Sequence, residues 1–171
     1  MNQRGKKINS LTYIMITQTC IAKIIIDMDT LEQTHPGASI SGNIYWQFGE
    51  EFFPEEHWYD YVSTLLSWWS EPFREILRGA DFKKELMFMD GPQLIFVEPY
   101  DSSSFYITCH QREKSSVTSS FIVNKKILIR SFVLQMTRFL AWCKQHNLFC
   151  GDEMTTMEHD ATVFKKWLKT N

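Results

Sequence analysis

Three groups of side chains in this chain stand at spacings that could do chemistry. Cys143 and His146 lie three residues apart, with Cys150 and His159 following and Cys109-His110 upstream, so a thiolate and an imidazole could share a zinc ion. Structural zinc sites carry paired short spacings, however, and this group is irregular; Cys143 reads as core and His146 as a residue near a helix end. His57 stands three residues before Asp60 and beside Glu55 and Glu56, a setting in which carboxylates could hold a general base in its charged form. No nucleophile or oxyanion donor accompanies them, so these charges read as the solvated face of an amphipathic helix. The serines of Asp101-Ser102-Ser103-Ser104, Ser115-Ser116 and Ser119-Ser120 show no G-x-S-x-G elbow. Nor does the chain carry a glycine-rich phosphate loop or a zinc-protease helix motif, and its seven glycines leave little material for a phosphate cradle. The serines therefore read as hairpin and loop residues. The sequence assigns no catalytic residue, no metal ligand and no cofactor, and the expectation is a protein that is not an enzyme.

The stretch that must position any site runs from Pro54 to Leu77, PEEHWYDYVSTLLSWWSEPFREIL, and its pattern predicts one aromatic-rich helix. Pro54 suits a first helical position, with Glu55 and Glu56 at the favoured end of the dipole. At about 100° per residue, Trp58, Val62, Leu65, Leu66 and Trp69 share a face and Asp60, Ser63, Thr64 and Ser67 oppose it, with Trp68 on the boundary. Ser70 and Pro72 predict a cap and then a kink or a second short helix. Upstream, Ile24-Ile25-Ile26 is the clearest strand, Thr34-His35-Pro36-Gly37 a turn, and Ile40 to Phe48 a returning strand with Ile44, Trp46 and Phe48 on one face. Downstream, Glu85–Met89, Leu94–Glu98, Phe105–Gln111 and Val117–Val123 are short strands joined by Asp-Gly-Pro and serine-rich turns, which predicts an antiparallel meander. Leu128, Phe132, Met136, Phe139 and Cys143 then line a helix to about Asn147. A short amphipathic helix with Val163, Phe164, Trp167 and Leu168 closes the chain. The fold class is α+β: a mostly antiparallel sheet of about six strands, with two long helices and a short C-terminal helix packed on it. Residues 1–10 read as a flexible N-terminus and 11–171 as a single domain.

Composition is that of an ordinary soluble domain, 44% hydrophobic and 22% charged, with a high aromatic share of 15%. Charge is unevenly placed. From Ile24 to Phe73 there is no lysine or arginine among nine acidic residues, whereas Gln111–Asn147 holds Arg112, Lys114, Lys125, Lys126, Arg130, Arg138 and Lys144 against Glu113 alone. The two blocks either face each other across the fold or leave an exposed acidic patch that steers a basic partner. The basic block lies largely on a core-packing helix without a binding motif, so direct nucleic-acid binding is not expected. Cys20, Cys109, Cys143 and Cys150 are scattered in apolar surroundings, which fits reduced thiols in a cytoplasmic protein. Arg4, Lys6 and Lys7 precede an apolar run, but Thr17, Gln18, Thr19 and Lys23 interrupt it and no small-residue cleavage site follows, so no signal peptide is expected. No stretch is long and apolar enough for a membrane span.

The segment FPEEHWYDYVSTLLSWW, Phe53 to Trp69, after an aromatic strand and before a meander, resembles in outline the small immunity proteins encoded beside bacterial contact-dependent growth inhibition and related polymorphic toxins. Those families share no invariant motif, so the resemblance transfers no site residues. What it implies is a role: binding a cognate toxin domain, often a nuclease with a basic cleft, and blocking it. An inhibitor that presents carboxylates to such a cleft gains fast, salt-sensitive association, and aromatic residues at the patch edge supply desolvated anchors. On that reading the partner-binding residues are Glu50, Glu51, Glu55, Glu56 and Asp60, with Tyr59 and Trp68 as anchors and Asp152 and Glu153 on a second acidic edge. Two rivals stand beside it: an adaptor or interaction protein that uses the same surface for a non-toxin partner, and an enzyme of unrecognised class.

Overall fold

The computed structural model describes residues 18–111, 116–149 and 151–171. The N-terminal segment 1–10 and Cys150 lie outside them. Strand β1 (Gln18–Cys20) runs parallel to the last strand, and after the single residue Ile21 the chain enters β2 (Ala22–Ile26) of a second sheet. The small sheet places β2 against β3 (Gly42–Phe48), with β4 (Glu51–Phe53) and β5 (Tyr59–Asp60) both antiparallel to β3. The larger sheet has the order β1-β9-β8-β7-β6, in which β6 (Lys84–Met87), β7 (Gln93–Pro99), β8 (Ser104–Gln111) and β9 (Ser116–Asn124) form the antiparallel meander that the turn chemistry anticipates. Three helices complete the layers: α1 (Val62–Leu77), α2 (Lys125–Gln145) and α3 (Asp152–Thr170).

The α+β class stands, but the expected single sheet is two, and one strand pair is parallel. Aromatic residues weld the two sheets together. Phe48 of β3 stacks on Phe121 of β9 with ring centroids 4.2 Å apart. Trp46 of β3 meets Trp69 and Phe73 of α1, and Phe73 also reaches Phe105 of β8 and Phe132 of α2. Phe132 in turn meets Phe164 of α3, so one chain of rings ties both sheets to all three helices. Each such pair contributes about 0.5–1.5 kcal/mol beyond the area it buries.

Period-2 burial explains β2 and β3: Ala22, Ile24 and Ile26 pair with Phe48, Trp46 and Ile44 on the inner face. The outer edge of β2 is closed by a side chain. Ser131 of α2 accepts from the Ile24 N–H at 3.0 Å and donates to the Ile24 carbonyl at 3.2 Å, satisfying groups that an edge strand otherwise leaves open. In α3, Met154, Met157, Ala161 and Phe164 recur at helical spacing, so the final helix spans the whole segment from Asp152 and is not the short one expected. Asn124 caps α2 by accepting from the Ile127 N–H at 3.0 Å. Cys109 and Cys143 are fully buried, and burial pushes the Cys109 thiol well above its ordinary value.

Helix α1 corrects the sequence reading in three ways. It starts at Val62, not Pro54, because Trp58 to Asp60 are taken by β3: the Ile44 N–H donates to the Trp58 carbonyl at 2.7 Å, and Tyr59 and Asp60 pair with Asn43 and Gly42. It continues without a break through Pro72 to Leu77, and the Ser70 hydroxyl donates to the Leu66 carbonyl one turn back instead of capping. Ser63 and Thr64 are buried, not solvated, since Ser63 Oγ accepts from the Ile40 N–H at 3.1 Å. Val62, Leu65, Leu66 and Trp69 face the core as expected.

Ser131→Ala is expected to cost about 1–2 kcal/mol by leaving both edge groups of Ile24 without their partner. Urea unfolding monitored by circular dichroism checks this; an unchanged midpoint would show that water replaces the hydroxyl fully.

Candidate protein-binding site

The segment Trp58-Tyr59-Asp60-Tyr61 is built by alternation along a two-residue strand. Paired with Asn43, Tyr59 faces outward; Asp60, paired with Gly42, turns in. Asp60 is 1% exposed, and a carboxylate so buried must be compensated by donors. It has four. Oδ1 accepts from the Tyr61 N–H at 2.7 Å; Oδ2 accepts from Trp58 Nε1 at 3.2 Å, the Met89 N–H at 3.0 Å and the Asp90 N–H at 3.1 Å. One side chain thereby gathers β5, the start of α1 and the β6–β7 loop. The loop fits only because Gly91 adopts φ 114° and lies under the Trp58 ring, where a Cβ would come to 3.3 Å.

On the outer surface Tyr59 and Tyr61 are 44% and 46% exposed. The Tyr59 hydroxyl is hydrogen-bonded to the Glu32 carboxylate and lies 3.1 Å from Ser41 Oγ, while the backbones of Glu32 and Ser41 bond to each other. The Glu32 bond holds the Tyr59 phenol above its ordinary pKa, with Ser41 acting the other way. Tyr45, two residues along β3 from Asn43, is also raised, first by burial and then by the carboxylates of Glu56 and Asp27. A cleft of about 470 Å³ is lined by Tyr59 and Tyr61 together with Ser39, Ser41, Asp60 and Asp90.

The structure sorts the residues named from sequence. Glu55 and Glu56 are exposed in the β4–β5 loop, with His57 Nε2 4.0 Å from Glu56 and the His57 ring against Tyr45. Glu50 is exposed in the β3–β4 turn. Glu51 is exposed but accepts from Gln18 Nε2 at 3.3 Å and Ser119 Oγ at 3.4 Å, so it turns toward the larger sheet. Asp60 is corrected: a buried carboxylate with four donors is an internal brace, not a contact offered to a partner or a companion to His57. Trp68 is 45% exposed on α1, in a separate groove of about 410 Å³ beside Met87 and Arg74, and Asp152 and Glu153 open α3. Arg74 there is held by the buried Asp160 at 2.8 Å. The basic block does not neutralise the acidic one through Lys144, which pairs with Glu158 of α3 at 2.7 Å.

Sequence reasoning missed Glu32, Ser41, Tyr61 and Asp90. A signal was present for Tyr61, an aromatic two residues from Tyr59, and for Asp90, in an Asp-Gly-Pro turn; Glu32 and Ser41 meet only through an isolated bridge across an irregular loop. Of the cysteine–histidine group, Cys143 is buried, exposed His146 stacks on Trp142 at 4.3 Å, and Cys150 lies outside the described residues. Among the described residues no group of three or more His, Cys, Asp or Glu side chains is placed to hold a metal ion, and no helix is long and apolar enough to cross a membrane. No family model, curated protein or solved structure matches the chain.

Asp60→Asn places an amide among donors and is expected to destabilise the fold by about 2–4 kcal/mol. Thermal unfolding with the Trp58 indole N–H followed by NMR would register both the loss and its origin; an unchanged Tm and indole signal would contradict the brace.

Proposed function

We propose that this protein is a non-enzymatic binding protein that captures a basic protein partner through the acidic, aromatic surface around Tyr59. The observation that supports this most directly is the gathering of carboxylates around the exposed Tyr59 and Tyr61, with no lysine or arginine ion pair to them among the described residues: Glu32 and Asp90 stand beside Tyr59, and Glu55 and Glu56 stand exposed in the neighbouring loop, where Glu56 lies 4.0 Å from His57. Tyrosine presents a large contact area at small cost in conformational freedom, and here the Tyr59 ring is already fixed by its hydroxyl. Carboxylates around such anchors raise the encounter rate with a positive surface and make it sensitive to salt.

The resemblance to immunity proteins makes the partner class concrete. The cognate partner is a bacterial toxin domain, of which a nuclease with a basic substrate cleft is the type that this surface suits best, and the bound complex blocks that cleft. A nuclease cleft is positive because it must hold phosphates, so an acidic surface competes for the same charges.

The test is co-expression with the C-terminal domain of the protein encoded immediately upstream, scored for growth and co-purification. Rescue of growth together with a salt-sensitive complex supports the reading; a neighbour that is harmless or ignored removes the toxin role. In that complex, Glu55→Lys with Glu56→Lys is expected to leave folding intact and to slow association by about 10–100-fold at low salt. Stopped-flow association measures this, and an unchanged rate would place the interface elsewhere.

A further inference from the structure

The cleft between Tyr59 and Tyr61 has a chemistry narrower than that of the surface around it. Asp60 and the exposed Asp90 are among its lining residues, and the Glu32 carboxylate is bonded to the Tyr59 hydroxyl. No lysine or arginine lines it; the single titratable base on its wall is His35. The start of α1 lies close by, but it does not make an anion site. The Ser63 N–H donates to the Ile40 carbonyl, the Tyr61 N–H is taken by Asp60, and the Asp60 charge stands one residue ahead of the N-cap. The walls therefore offer two aromatic faces, hydroxyl oxygens and negative charge. That combination suits a planar cation, which can stack on phenol rings and donate several hydrogen bonds at once.

We infer that this cleft is the anchoring subsite of the binding surface and that it takes an arginine side chain of the basic partner. The inference rests on the binding role proposed above. The guanidinium stacks between Tyr59 and Tyr61 and donates to the Asp90 carboxylate and to Ser39 or Ser41 Oγ. Tyr59 is held by Glu32 and Ser41 before the partner arrives, so little ordering remains to be done on binding. Buried aromatic–arginine contacts of this kind are where the energy of protein interfaces concentrates.

The test uses the full chain labelled with 3-fluorotyrosine and titrated with a peptide alternating arginine and glycine, followed by fluorine NMR. The Tyr59 and Tyr61 signals are assigned with Tyr59→Phe and Tyr61→Phe. The control peptide carries citrulline, which keeps the planar shape but is uncharged and has a carbonyl oxygen in place of one terminal NH2 donor. The expected result is saturable movement of both signals with the arginine peptide, at least about tenfold weaker with citrulline. Asp90→Asn, an exposed change that spares the backbone donors to Asp60, is expected to weaken binding severalfold. Equal response to the two peptides would overturn recognition of a cation. Movement confined to the Tyr45 signal, beside Glu56, would overturn the arginine subsite while leaving the acidic-surface reading in place. No response from any tyrosine at low salt would remove both. A lysine–glycine peptide that binds better than the arginine peptide would replace the guanidinium by an ammonium group and overturn the stacking geometry.

Discussion

A single buried carboxylate sets the position of everything at the surface described above. Asp60 lies where the chain changes from strand to helix, and its charge could not be buried there without the four donors that converge on it. Those donors come from the residues on either side of it and from a loop about thirty residues downstream, so satisfying one charge locks β5, α1 and the β6–β7 turn into a fixed relation. Tyr59 and Tyr61 flank that brace in sequence, and Asp90 supplies one of its donors. The cleft is therefore a by-product of compensating Asp60, and its geometry is as rigid as that compensation.

The same arrangement explains why negative charge accumulates without collapsing the fold. Among the described residues, two ion pairs bridge helices, Arg74 with Asp160 and Lys144 with Glu158, and a third joins Lys84 of β6 to Glu75 of α1. The carboxylates of the Tyr59 surface are mainly left to solvent, where each costs little and together they shape a long-range field. Rings and carboxylates then divide the work of binding, the field governing encounter and the aromatic cleft governing retention.

What could be read from sequence was the periodic part. Ile24 with Ile26, and Ile44 with Trp46 and Phe48, alternate cleanly, and Leu128 through Cys143 follow a helical stripe, so strands, meander and α2 emerged from pattern alone. The stretch from Pro54 to Tyr61 failed for a physical reason. Its aromatic spacing fits a helix, but backbone bonds from β3 outweigh local preference, a contest that no local window contains. The split into two sheets was equally hidden, since it turns on one residue, Ile21, between a parallel pair and an antiparallel one. Tyr59 and the exposed glutamates were visible by type, whereas the burial of Asp60 depends on donors at Met89 and Asp90 that sequence spacing does not connect.

Amide hydrogen exchange at Met89 and Asp90 tests the central claim most directly. Both amides sit in a turn outside any strand ladder, where exchange is ordinarily fast. If Asp60 is the brace that builds the cleft, they exchange at least about a hundredfold more slowly than in an unstructured peptide, and Asp60→Asn removes that protection while the α2 amides keep theirs. Exchange at unprotected rates in the native chain would show that the carboxylate does not hold this loop, and the preformed cleft would have to be abandoned.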